Sequence, residues 1–201
     1  MEKDELNREI NLLVIGGSAG SLEVTLKILS GLTLSLNFAV VIVLHRKATH
    51  DTSLTDLMAN QTMLTVKEAE EKEDIKPGMV YLAPANYHLL IEMDHTFSID
   101  SSEKVLYSRP SIDVTFQTAA EVYGSSLAAL VLSGANADGS QGLKAIAKVG
   151  GLTIVQDPAS AEVNYMPEAA IAATPVDYVL EAKDLTDFIN SLSASQLQNK
   201  Q

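Results

Sequence analysis

Short apolar runs alternate along the chain with segments whose apolar residues recur every three or four positions. Asn11–Ile15 and FAVVIVL, Phe38 to Leu44, are continuous, and the second is rich in β-branched residues. That pattern predicts strands covered on both faces. Further strands are predicted over Leu64–Glu68, Val80–Ala83, Leu127–Leu132, Leu152–Val155 and Val176–Leu180. Between them the spacing predicts helices over Ser21–Leu29, with Leu22, Leu26 and Leu29 on one face, and over Thr52–Asn60, Ser140–Lys148 and Pro167–Ala173. Pro167 is expected at the first position of its helix. Ser111 reads as an N-cap, with Asp113 in the first turn of a helix ending near Gly124, and Asp184 as the cap of a last helix through Leu192. Two alternating runs, HLLIEM and TFSID, flank Asp94-His95 and predict an antiparallel hairpin, and Lys76-Pro77-Gly78-Met79 predicts a turn. The expected fold is α/β: doubly wound, a mainly parallel sheet with helices on both faces and one antiparallel hairpin. A single domain is expected over residues 11–193, between a flexible N-terminus, 1–10, and a flexible tail, 194–201.

Composition narrows the function classes. The chain has 201 residues, 46% of them hydrophobic and 20% charged, as one domain with a sizeable core requires. The net charge of −12 argues against nucleic-acid binding and against an anionic membrane surface. There is no cysteine, so disulfides, thiol catalysis and Cys-type zinc sites are excluded. The polar start MEKDELNREI has no signal-peptide core, and FAVVIVL is too short to span a bilayer. A soluble, cytoplasmic protein is expected, without membrane insertion and without a cofactor or metal.

In open α/β sheets the chemistry lies just beyond the carboxyl ends of the strands. GGSAGS with Ser18 follows the first predicted strand, His45 follows the second, and SGANADGSQG with Asp138 follows Leu127–Leu132. A hydroxyl, an imidazole and a carboxylate at one rim are the set a Ser-His-Asp hydrolase needs. Each has a blander reading: a glycine turn at Ser18, a strand-end histidine, a helix-capping Asp138. Dinucleotide binding would need glycine in place of Ser18 and an acid in place of His45. The α/β-hydrolase chain order, serine then acid then histidine, is not the order here.

The chain resembles the catalytic domain of the bacterial chemotaxis protein-glutamate methylesterases (CheB-type) from about Leu12 to Ile189. The resemblance rests on VIGGSAGS, Leu44-His45, KEAEEKEDIKPGMVYLAPANYH, SRPSIDVTF, LSGANADGSQGL and AEVNYMPEAAI, in that order. It implies a Ser18, His45, Asp138 triad, with oxyanion support from the backbone at Ala19 and Ala135. It further implies hydrolysis of glutamate γ-methyl esters, and of glutamine amides, on the methylated helical region of chemoreceptor-like proteins. Arg109 is either a cleft-lining residue or half of an ion pair securing its loop. Three departures stand out. Ala19-Gly20-Ser21 replaces threonine and two glycines, Ala135 replaces a frequent methionine, and Arg46-Lys47 follows the histidine. Arg46 and Lys47 are expected to be solvated. The chain starts about ten residues before its first strand, so a stand-alone form without a receiver domain is expected, controlled by a separate regulator if at all. The alternative is a binding or scaffold module of the same fold with weakened turnover. His50, His88 and His95 lack metal-type spacing and are expected to be solvated or structural. Met166-Pro167-Glu168 is expected to be a helix start, and EAEEKED an exposed face.

Overall fold

The computed structural model describes residues 9–46 and 53–198. Seven strands form one sheet in the order β3-β4-β2-β1-β7-β8-β9. They are β1 Leu12–Gly17, β2 Ala39–Leu44, β3 Thr65–Glu68, β4 Met79–Leu82, β7 Leu127–Val131, β8 Leu152–Gln156 and β9 Tyr178–Leu180. Every pairing in it is parallel. The predicted hairpin forms a separate antiparallel pair, β5 His88–Ile91 with β6 Phe97–Asp100.

Strand alternation divides the core in two. Leu13, Ile15, Val40, Ile42, Leu130 and Ile154 face α1 (Ser21–Gly31), α2 (Ser53–Ala59) and α6 (Leu185–Gln198). Leu12, Val14, Val41, Val43, Ala129 and Val131 face the hairpin, α3 (Ile112–Tyr123), α4 (Ser140–Lys148) and α5 (Tyr165–Ala173). Both faces are covered, which is why the central strands read as unbroken apolar runs.

Some details differ from expectation for identifiable reasons. The buried stripe of α1 is Ser21, Val24, Thr25, Ile28 and Leu29, and Leu22 is exposed. Two hydroxyls disguise that stripe in the sequence. Ser21 Oγ donates to the Ser18 carbonyl at 2.6 Å and Thr25 Oγ1 to the Ser21 carbonyl at 2.8 Å, so both are buried without an unmet polar group. Helix α5 begins at Tyr165, which puts Pro167 third in the helix. Its missing N–H is harmless there, because the first-turn amides have no intrahelical partner. Helix α6 runs to Gln198, beyond Leu192, through a segment with no glycine or proline to stop it. The predicted start of α2 at Thr52 lies outside the described residues.

Glycine at the end of β1 brings a second element to the site. A Cβ on Gly16 would lie 2.4 Å from Ile112 Cγ2, so only glycine lets the first turn of α3 press against this strand. Gly142 does the same for α4, where a Cβ would sit 2.4 Å from Phe116 Cβ. The amino ends of α3 and α4 therefore meet beside the carboxyl ends of β1 and β7.

Candidate active site

The chain runs outward from β1 through β2 on one side and resumes on the other side at β7, so the order reverses at the centre of the sheet. A crevice is expected at such a reversal. The loop after β1 is locked between its neighbours. The His45 amide donates to the Gly17 carbonyl at 3.1 Å, and the Ser18 amide donates to the Ser133 carbonyl at 2.9 Å. Ser18 thus lies between His45 and Ser133 across three adjacent strand ends.

His45 and Asp138 are joined directly, with His45 Nε2 2.7 Å from Asp138 Oδ2. Asp138 is fully buried, and its carboxylate accepts three further bonds. Ser111 Oγ donates to Oδ1 at 2.8 Å, the Ile112 amide to Oδ2 at 2.7 Å and the Asp113 amide to Oδ1 at 2.9 Å. Burial pushes the Asp138 carboxyl upward. The His45 bond, the two amides and the Ser111 hydroxyl outweigh it, and the group lies below the ordinary carboxylate range. The blander reading of Asp138 as a cap of the helix after it does not hold: α4 has no side-chain cap, and Asp138 occupies the amino end of α3.

An ionised acceptor at Nε2 fixes the proton on that nitrogen and leaves the Nδ1 lone pair free to act as a base. Nδ1 lies 3.2 Å from Ser108 Oγ, whose oxygen also receives Asn136 Nδ2 at 3.3 Å. Among the described residues the Ser18 hydroxyl makes no hydrogen bond, and it is half-buried. No described residue accepts a hydrogen bond from the Ala19 or Ala135 amide, and both residues are exposed. The two loops carrying them are tied together. Ser133 Oγ donates to the Ala19 carbonyl at 2.7 Å and accepts from the Val163 amide at 2.9 Å.

His45 and Ser108 border a cavity of about 520 Å³, further lined by Arg46, Asn86, Lys104, Tyr107 and Arg109. Arg109 Nη1 donates to the Ser101 and Ser102 carbonyls, so it both lines the cleft and secures its loop, through backbone oxygens and not a carboxylate. Arg46, expected to be solvated, instead pairs with Glu68. Lys47 and His50 lie outside the described residues.

His88 is structural. It is buried, receives the Ser111 amide on Nδ1 at 3.1 Å and reaches the Glu103 carbonyl through Nε2 at 3.0 Å. His95 packs edge-on against Tyr123. Met166 is buried beneath Gly134. Among the described residues no group of three or more His, Asp or Glu side chains could hold a metal ion, and no helix is long and apolar enough to cross a membrane.

Sequence reasoning missed Ser108, Ser133 and Asn136. Ser108 opens SRPSIDVTF, and Ser133 and Asn136 lie in LSGANADGSQGL, but those blocks single out none of the three. Ser111 was legible as an N-cap, but its simultaneous donation to Asp138 depends on a contact 27 positions away.

The CheB methylesterase family model matches residues 13–189. A Leptospira interrogans protein is 48% identical over 188 residues, covering 94% of this chain and 97% of that protein. A Thermotoga maritima protein-glutamate methylesterase/protein-glutamine glutaminase is 35% identical over 174 residues, 85% of this chain and 51% of its own length. The crystal structure of the Thermotoga maritima CheB methylesterase catalytic domain superposes with a TM-score of 0.87 at 33% identity, covering 91% of this chain and 98% of that one. With a family model spanning most of the sheet and a matching solved domain, the chain belongs to the CheB methylesterase family.

Proposed function

We propose that this chain is a serine esterase that demethylates glutamate γ-methyl esters on chemoreceptor-like proteins and deamidates glutamine at the same site. The observation that carries the reading is the His45 Nε2 to Asp138 bond, which leaves Nδ1 as the base at the strand edge next to Ser18.

His45 Nδ1 takes the Ser18 proton as Oγ attacks the ester carbonyl. Asp138, held ionised by α3, stabilises the imidazolium that results. The Ala19 and Ala135 amides hold the tetrahedral oxyanion, each worth roughly 3–4 kcal/mol of transition-state stabilisation if aligned. The imidazolium returns its proton to the departing methoxy oxygen, and methanol leaves an acyl-Ser18. Water, deprotonated by the same nitrogen, attacks the acyl carbon and restores Ser18 with a glutamate as product.

The test is methanol release from a γ-methyl-glutamyl substrate, with phosphonate labelling of the serine. Wild type releases methanol and is labelled at Ser18, the Ser18→Ala chain does neither, and the Ser108→Ala chain does both. Normal release from Ser18→Ala, or labelling at Ser108 instead, overturns the assignment. Labelling of no serine favours a binding module of the same fold.

A further inference from the structure

Charge is distributed unevenly over this molecule. The chain carries 26 acidic and 14 basic residues, yet the cleft beside His45 is lined by three cations, Arg46, Lys104 and Arg109, and by no carboxylate. Arg46 is shared with Glu68, and Arg109 is held by backbone carbonyls. Lys104 is exposed and has no acidic partner among the described residues.

Beside these cations stands a strained, exposed turn. Val105 and Ser108 exchange backbone hydrogen bonds of 3.1 and 2.8 Å across a two-residue loop, Leu106-Tyr107. Both loop residues have positive φ, 46° and 64°, a geometry that ordinarily selects Asn-Gly. Tyr107 is 95% exposed, and Asn136 Nδ2 donates to the Leu106 carbonyl, tying the tip to the loop that carries Asp138. An unfavourable backbone that presents a bare tyrosine at the edge of the cleft beside His45 is the kind of strain kept at contact sites.

From this juxtaposition we infer that the cleft selects esters lying within an acidic segment of the substrate protein, with Arg46, Lys104 and Arg109 meeting its carboxylates and Tyr107 packing on its backbone or apolar residues. This rests on the esterase reading and adds the sequence context that the site reads. On a body of net charge −12, a cleft lined by cations gives an acidic partner a local attraction, which favours entry in one orientation.

Two peptides of equal length test it, each with a central γ-methyl glutamate, flanked by Glu in one and by Gln in the other. At low ionic strength kcat/KM is expected to be about fivefold or more higher for the Glu-flanked peptide, as a few partly exposed ion pairs allow, and the gap should close in roughly 0.5 M salt. Lys104→Glu should invert the preference, and Tyr107→Ser should raise KM for both peptides. Anisotropy of labelled peptides on the Ser18→Ala chain reads the same preference without turnover. Equal, salt-insensitive kinetics and binding overturn the inference while leaving the esterase intact. Salt-sensitive preferential binding without methanol release from the wild-type chain supports the inference and overturns the esterase reading.

Discussion

Asp113 and Asp138 cap each other's helices. Asp138 precedes α4 but accepts the Ile112 and Asp113 amides at the start of α3, while Asp113, in the first turn of α3, accepts the Gly142 amide of α4 at 2.7 Å. The exchange locks the two helix starts together and explains how a loop aspartate is held rigidly under an imidazole. It also places two buried carboxylates near each other, and they respond in opposite directions. Burial, with a smaller contribution from Asp138, pushes Asp113 up from 3.8 to about 6, although the Gly142 amide pulls the other way.

A raised carboxyl binds its proton more tightly in the folded state, so stability should fall as pH rises between about 4 and 6. The contribution is about 3 kcal/mol at most. Asp138 acts in a separate window: its contribution is present above 3.8 and is lost as pH falls through its lowered folded value. Asp113→Asn keeps an acceptor for Gly142 and removes the charge. Urea unfolding should show it equal to or more stable than wild type at pH 7, with the decline between pH 4 and 6 gone. An unchanged decline would assign that window to another group.

Asp138→Asn places an amide NH₂ among four donors that all need an acceptor. Turnover should drop by roughly 10³–10⁴-fold, and stability by about 2–4 kcal/mol. Methanol-release kinetics and denaturant midpoints read the two effects separately. Turnover within tenfold of wild type would remove Asp138 from the mechanism.

Gly142→Ala forces a methyl to within 2.4 Å of Phe116 Cβ and 3.2 Å of the Asp113 backbone. Separation of α3 from α4 should destabilise the chain by about 1–3 kcal/mol. Activity should suffer more than at a remote site of equal cost, because both sides of the carboxylate exchange move. Thermal melting alongside methanol release checks this. Full activity in a destabilised variant would show that the exchange is not needed for turnover.

Ser133→Ala removes the tether between the Ala19 carbonyl and the Val163 amide. Two partly buried backbone groups lose a partner, at about 1 kcal/mol each before relaxation. If the Ala19 and Ala135 amides hold the oxyanion as proposed, releasing their loops from each other should lower kcat by about tenfold or more while KM changes little. A rise in KM alone would place Ser133 in substrate binding.

The parallel sheet, the hairpin and the placement of Ser18, His45 and Asp138 after neighbouring strand ends were legible because continuous apolar runs and strand-end polar residues are local signals; of the three side chains, the structure joins His45 and Asp138 by a hydrogen bond. The rest depended on contacts between distant segments. The buried face of α1 was misread because Ser21 and Thr25 satisfy their hydroxyls internally and so look like surface residues. The α3 amides that bond Asp138 were not legible, because sequence proximity to α4 says nothing of the helix start that Gly16 admits. Ser108 went unseen because its place in SRPSIDVTF names no role for it, and the signal that does is spatial, a hydroxyl 3.2 Å from His45 Nδ1.

The orientation of that ring has a mechanical consequence. Asp138 clamps the outer nitrogen, and on the esterase reading proposed above proton transfer falls to the one nearest the main chain. The carboxylate bond holds the ring against rotation, because a half-turn would offer the carboxylate a carbon. The place of that ring is thereby inherited from the sheet itself, through the amide that His45 gives to Gly17.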